Sequence, residues 1–115
     1  MSNAFLQQYE LVRGARAALL DYCVTLRPAD FTAPVPAFNG GNIRDLLVHV
    51  AGAYRVWLGQ VGLGQPVAPT PPAEVPDVAA VRRLFAAVDG LVAEFERHFA
   101  ARWLDIMTFH FSRHP

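Results

Sequence analysis

With 115 residues, ten acidic against ten basic side chains and no run of one sign, the chain has the size of one domain and lacks the electrostatic footprint of a nucleic-acid binder. All ten basic residues are arginines, which excludes a Schiff-base lysine and the lysine of a phosphate-binding loop. Although 53% of residues are hydrophobic and 17% charged, no apolar run reaches the roughly 18 residues of a membrane span, and Gln7, Gln8, Glu10, Arg13 and Arg16 interrupt the opening where a secretory signal would be apolar. The expectation is a soluble, cytoplasmic, single domain over 1–115, with no membrane or nucleic-acid partner.

The first helix is predicted from Asn3 to about Leu26, with Phe5, Tyr9, Val12, Leu19 and Cys23 along one stripe. Pro28 stops it, because proline lacks an amide hydrogen and restrains the residue before it. Cys23 is the only cysteine, so neither an internal disulfide nor a thiolate cluster can form. Its place on the stripe predicts a buried structural thiol, since no local cation or helix N-terminus would activate it as a nucleophile.

An irregular loop carrying Pro34, Pro36, Gly40 and Gly41 leads to Asn42, a helix N-cap, with Asp45 three residues on and favourable to the helix dipole. In the second helix Ile43, Leu46, Leu47, Val50, Tyr54, Trp57, Leu58 and Val61 recur at three- and four-residue steps, the period of one buried face. Tyr54 and Trp57 lie on that face and are expected in the core. His49 falls about 120° from the centre of the stripe, on the flank of Asp45, Ala53, Val56 and Gln60. A rim position of this kind can reach a cleft between helices. Gly59, Gly62 and Gly64 loosen the far end, and five prolines in the twelve residues from Gln65 to Pro76 predict an extended crossover.

The third helix begins at the N-cap Asp77 and runs through Val81, Leu84, Phe85, Val88, Val92, Phe95 and Phe99 to about Arg102. Its stripe is expected to pack on the second helix. His98 sits on the flank among Glu94, Glu96, Arg97 and Arg102, a solvated setting. Met107, Phe109 and Phe111 then alternate with Thr108, His110 and Ser112, which predicts a short extended segment at 104–113. No internal repeat, GxGxxG, paired CxxC or GxSxG motif occurs, so an enzymatic reading rests on His49.

The run Gly40-Gly41-Asn42-Ile43-Arg44-Asp45-Leu46-Leu47-Val48-His49 followed by Trp57, together with the order of the helices, resembles the first metal-binding helix of the DinB/YfiT-like family. The resemblance implies an all-α, up/down four-helix bundle, often a homodimer, in which three histidines hold a divalent metal. It makes His49 the first metal ligand. It also implies a Zn²⁺ or Ni²⁺ cofactor, a low-molecular-weight thiol and a small-molecule substrate. The chemistry would be that of a metal-dependent hydrolase or thiol S-transferase, the ion making water or a thiol nucleophilic at neutral pH.

The family's later His-x-x-x-His helix, which runs into His-Arg-Gly-Gln or His-Lys-Gly-Gln, has no counterpart here. His110 and His114 have that spacing, but four residues along a strand stand about 13 Å apart, too far to share one ion. Pro115 also biases His114 away from helical angles. The expectation is therefore that the chain stops before the last helix of the bundle, with the remaining ligands beyond residue 115, on His98, His110 or His114, or on a second chain. So apolar a composition on three helices requires cover from a further helix or a partner. The competing expectation is a non-catalytic dimerisation or interaction domain without a complete metal site.

Overall fold

The computed structural model describes residues 4–99, the Phe38 side chain excepted. The predicted extended segment at 104–113, with His110 and His114, and the proposed end of the third helix at Arg102 lie outside the described residues. Within them all regular structure is helical: α1 (Ala4–Val24), α2 (Pro28–Phe31), α3 (Ile43–Tyr54) and α4 (Val78–Phe99), with 3₁₀ turns at Pro36–Phe38 and Pro72–Glu74. This is the expected all-α helical bundle.

Its seam runs along α4. Val81, Phe85, Val88, Val92 and Phe95 follow at steps of four and three, and all are buried. Both α1 and α3 pack against that face, α1 through Tyr9, Leu20 and Cys23 and α3 through Leu47, Val48 and Ala51. Each fully buried valine side chain contributes about 2 kcal/mol by leaving water. The seam is therefore the principal source of stability.

Both predicted caps are present. The Asp45 amide donates to Asn42 Oδ1 at 2.7 Å and the Ala80 amide to Asp77 Oδ1 at 2.8 Å, each satisfying a donor left open by the first helical turn. Pro28 acts differently from expectation. With Arg27 held extended before it, Pro28 occupies the first position of α2, where a missing amide hydrogen is harmless, and α2 places Phe31 in the core. In the following loop Asn39 and Gly40 adopt left-handed angles (φ 54° and 81°), and the chain closes through Val35 N to Gly41 O at 2.7 Å.

The largest correction concerns the second helix. After Tyr54 it continues as a π-helix over Arg55–Gly62, in which the Leu63 amide reaches back five residues to Leu58 O at 3.0 Å. The wider turn shifts the phase of every later residue. Trp57, expected in the core, is 65% exposed, and Val61 is exposed as well. Gly59 and Gly62 take the inward side instead, where a Cβ on Gly62 would stand 2.6 Å from Phe95 Cε2. Those glycines set the close approach to α4. Upstream the buried side of α3 is centred on Leu47, Val48 and Ala51, so Leu46 and Val50 are exposed along an open α1/α3 groove.

A half-buried polar network joins α1 to α4. Tyr9 Oη donates to Asp89 Oδ1 at 2.6 Å, and Arg16 Nη2 donates to both carboxylate oxygens at 2.7 and 3.0 Å. Burial, reinforced by the hydrogen bond to Asp89, pushes the Tyr9 phenol up to about 12. Because the folded value lies above the unfolded value of 10.0, this contribution is complete below pH 10 and is lost as pH rises towards 12. Urea unfolding across that window is expected to show a steeper loss of stability in the wild type than in Tyr9→Phe. Parallel curves for the two would contradict the assignment.

Candidate functional site

Asn42 starts α3 in a register that sends Asp45, His49, Ala53, Val56 and Gln60 to one side, facing the proline-rich connector. Between them lies a groove of about 670 Å³, the size of a small-molecule site. Val48 and Leu84 line its apolar part, and Val67, Ala68, Pro69 and Thr70 form the opposite wall. His49 is exposed on this groove, as its rim position predicts, and all four flank companions line it too.

Two ties fix the connector. Arg55 Nη1 donates to Thr70 Oγ1 at 2.6 Å, holding the start of the π-helix to the facing wall. Gln65 Nε2 donates to Glu94 Oε1 at 2.8 Å, fastening the connector to α4. A backbone bond from Gln65 N to Gly59 O at 2.9 Å and the burial of Val75 in the core anchor the connector further. Asp45 accepts from Arg44 Nε at 2.8 Å, so its charge is already compensated beside His49.

Trp57 also lines the groove. Sequence periodicity assigns it to the core together with Leu46 and Val50, but the buried face of α3 is centred on Leu47, Val48 and Ala51, which leaves all three exposed. Tyr54, by contrast, keeps its expected packing role, edge-on to Tyr9 with ring centroids 6.0 Å apart. Arg55 and Thr70 carry no motif that would mark them, because their bond joins residues from two elements.

The other candidate groups lie elsewhere. His98 is exposed on α4 against the ring of Phe99, at 4.7 Å between centroids, and is not part of the groove. Cys23 is 2% exposed, and burial pushes its thiol up, with Arg82 opposing the shift. A protonated, enclosed thiol is structural, as its stripe position predicts.

The chemistry on offer is an exposed imidazole that can present a nitrogen lone pair or carry a proton, a guanidinium, and an aromatic face on an otherwise apolar wall. Among the described residues no three His, Cys, Asp or Glu side chains are grouped so as to hold a metal ion. His49 is therefore one donor without a described set around it, and the described residues do not by themselves fit a metal centre.

None of the curated proteins and none of the solved structures matches this chain. A family model does, over residues 12–107, which takes in most of α1, the whole of α3 with its groove, and α4. No helix among the described residues is long and apolar enough to cross a membrane. The chain belongs to the mycothiol maleylpyruvate isomerase N-terminal domain family, a helical domain of the DinB/YfiT-like superfamily.

Proposed function

We propose that the groove beside His49 is the working site of a metal-dependent hydrolase or a thiol-dependent S-transferase acting on a small molecule. The observation that carries the reading is the exposure of His49 on a ligand-sized groove, at the position where the family resemblance puts a metal ligand. The family's name supplies the class of thiol, mycothiol or a similar low-molecular-weight compound.

In this reading His49 would offer one nitrogen to a divalent ion such as Zn²⁺ or Ni²⁺, which would make a bound water or thiol nucleophilic; its further ligands would have to come from outside the described residues or from a second copy of the chain. The protein's own part is to seat the substrate against the apolar walls of the groove, with Trp57 flanking it and Arg55 as a fixed positive charge. A cytoplasmic location belongs to the same proposal.

Cobalt is a spectroscopic substitute for the metal, and N-acetylcysteine is a suitable thiol probe. Titrating the chain with Co²⁺ is expected to give a visible ligand-field band, which changes when N-acetylcysteine is added. Both signals should vanish in His49→Ala. A wild-type chain without the band contradicts the metal-assisted reading.

One observation favours a second reading, a non-catalytic homodimerisation domain. Val12, Leu19, Leu46 and Val50 are exposed along the α1/α3 groove, which has a volume of about 420 Å³. A chain that takes up no cobalt and sediments as a dimer fits this reading instead.

A further inference from the structure

Residues 66–70, which carry the groove wall opposite His49, lack the backbone bonds that hold the helices around them. Pro66 and Pro69 have no amide hydrogen, and among the described residues the amides of Val67, Ala68 and Thr70 find no acceptor. Pro66, Ala68 and Pro69 are exposed, and only Val67 and Thr70 are half-buried. Two contacts keep the segment down. The Val67 side chain rests on Gly59, where an added Cβ would stand 3.2 Å from its Cγ2, and the Thr70 hydroxyl accepts from Arg55 Nη1 at 2.6 Å. A stretch with so little buried apolar surface and no backbone bonds opens at a small fraction of the cost of unfolding the domain.

Both ends of the segment are anchored. Gln65 is tied through its amide to Gly59 O at 2.9 Å and through its side chain to Glu94, and on the far side the 3₁₀ turn at Pro72–Glu74 leads into the buried Val75. Between the anchors Pro66, Pro69 and Pro71 fix φ and stiffen the chain. A stiff stretch held at both ends has one easy motion, rotation about the line joining them, which lifts the wall away from the groove. We propose that residues 66–70 are a strap over this groove, closed by the Arg55–Thr70 bond as its latch and opened by that rotation. Its use, admitting and retaining a ligand beside His49, rests on reading the groove as the working site; the motion itself does not. Arg55 suits the latch, because no carboxylate among the described residues competes with Thr70 for its guanidinium. Once the latch is broken both groups bond to water, so the bond biases the strap without locking it.

The test is ¹⁹F NMR relaxation dispersion of a trifluoromethyl tag on Ala68→Cys, an exposed strap position, the buried Cys23 being closed to the reagent. The tagged chain should exchange between a dominant latched state and a minor open one on the microsecond to millisecond scale of enzyme lids. Thr70→Val should raise the ratio of open to latched chains about tenfold, the scale of one hydrogen bond from a charged donor. Arg55→Gln should do the same, and the double variant no more than either, since all three lack the same bond. Thr70→Ser keeps the hydroxyl and should match the unsubstituted strap. Position 70 lies outside the helices, so the comparison of Val with Ser there stands even if Arg55→Gln unfolds.

Flat dispersion with and without Thr70→Val overturns the strap. An open population in Thr70→Val equal to that in Thr70→Ser, or effects of Thr70→Val and Arg55→Gln that add in the double variant, overturns the latch. The two proposals fail separately. Exchange that depends on the Thr70 hydroxyl without cobalt uptake removes the metal-assisted reading and leaves the strap standing. His49-dependent cobalt uptake with flat dispersion in every variant does the reverse.

Discussion

Phe85→Ala is expected to lower the free energy of unfolding by about 4 kcal/mol in urea denaturation, the usual cost of deleting a buried aromatic side chain and leaving its space unfilled. Phe85 is 2% exposed in the middle of the α4 seam, and the Arg16 guanidinium lies over its ring at 4.6 Å. Removing the ring takes away apolar burial and the cation–π contact together. Against a total of roughly 5–15 kcal/mol for a domain of this kind, the loss is large enough to leave a fraction of the chain unfolded at elevated temperature. Leu11→Ala, at an exposed position on α1, should change stability by less than about 0.5 kcal/mol. A loss below about 1 kcal/mol for Phe85→Ala would mean that α1 and α4 do not share the described seam.

The second large effect is expected at Asp89. Asp89→Ala should destabilise by about 3 kcal/mol, because it strands the Arg16 guanidinium, whose side chain is 13% exposed, and removes the acceptor of the Tyr9 hydroxyl. The isolated charge accounts for most of that loss. Replacing both partners with apolar residues, Arg16→Met with Asp89→Leu, should therefore recover much of it, and a double-mutant cycle measures the coupling. Asp21→Ala breaks a bond of the same length to Arg82, at 2.7 Å, but on the exposed surface, and should cost less than about 0.5 kcal/mol. Similar losses at Asp21 and Asp89 would contradict the argument from burial.

The parts of the fold that are legible in the sequence are those governed by local interactions. Asn42 and Asp77 can be read as caps because the bond each makes lies three residues away, and Cys23 can be placed in the core with Tyr9, although Val12 and Leu19, read on the same stripe, are exposed and Leu20 is buried in their place. His49 and its flank are legible for the same reason: Asp45, Ala53, Val56 and Gln60 all reach the groove that the helical wheel points to.

What escapes the sequence is set at longer range. The change from α to π at Arg55 has no residue signature, and it turns Val61 outward and Gly59 inward; Trp57 is outside the core with Leu46 and Val50 because the buried face of α3 is centred on Leu47, Val48 and Ala51. Arg55 meets Thr70 across fifteen residues of chain, and Tyr9 meets Asp89 across eighty, distances that no periodicity spans. Pro28 is misread because a helix-stopping residue is also a good first residue, and only Phe31, packing into the core, decides for a new helical turn. Whether further donors accompany His49 is likewise beyond the reach of periodicity. His98 lies apart from His49, while His110 and His114 fall outside the described residues.

The most direct test of the proposed function is the metal content of the purified chain, measured by elemental analysis beside that of His49→Ala. The account predicts near-stoichiometric zinc or nickel in the wild type and its disappearance in the variant. Absence of metal from both proteins, or undiminished metal in His49→Ala, would contradict it.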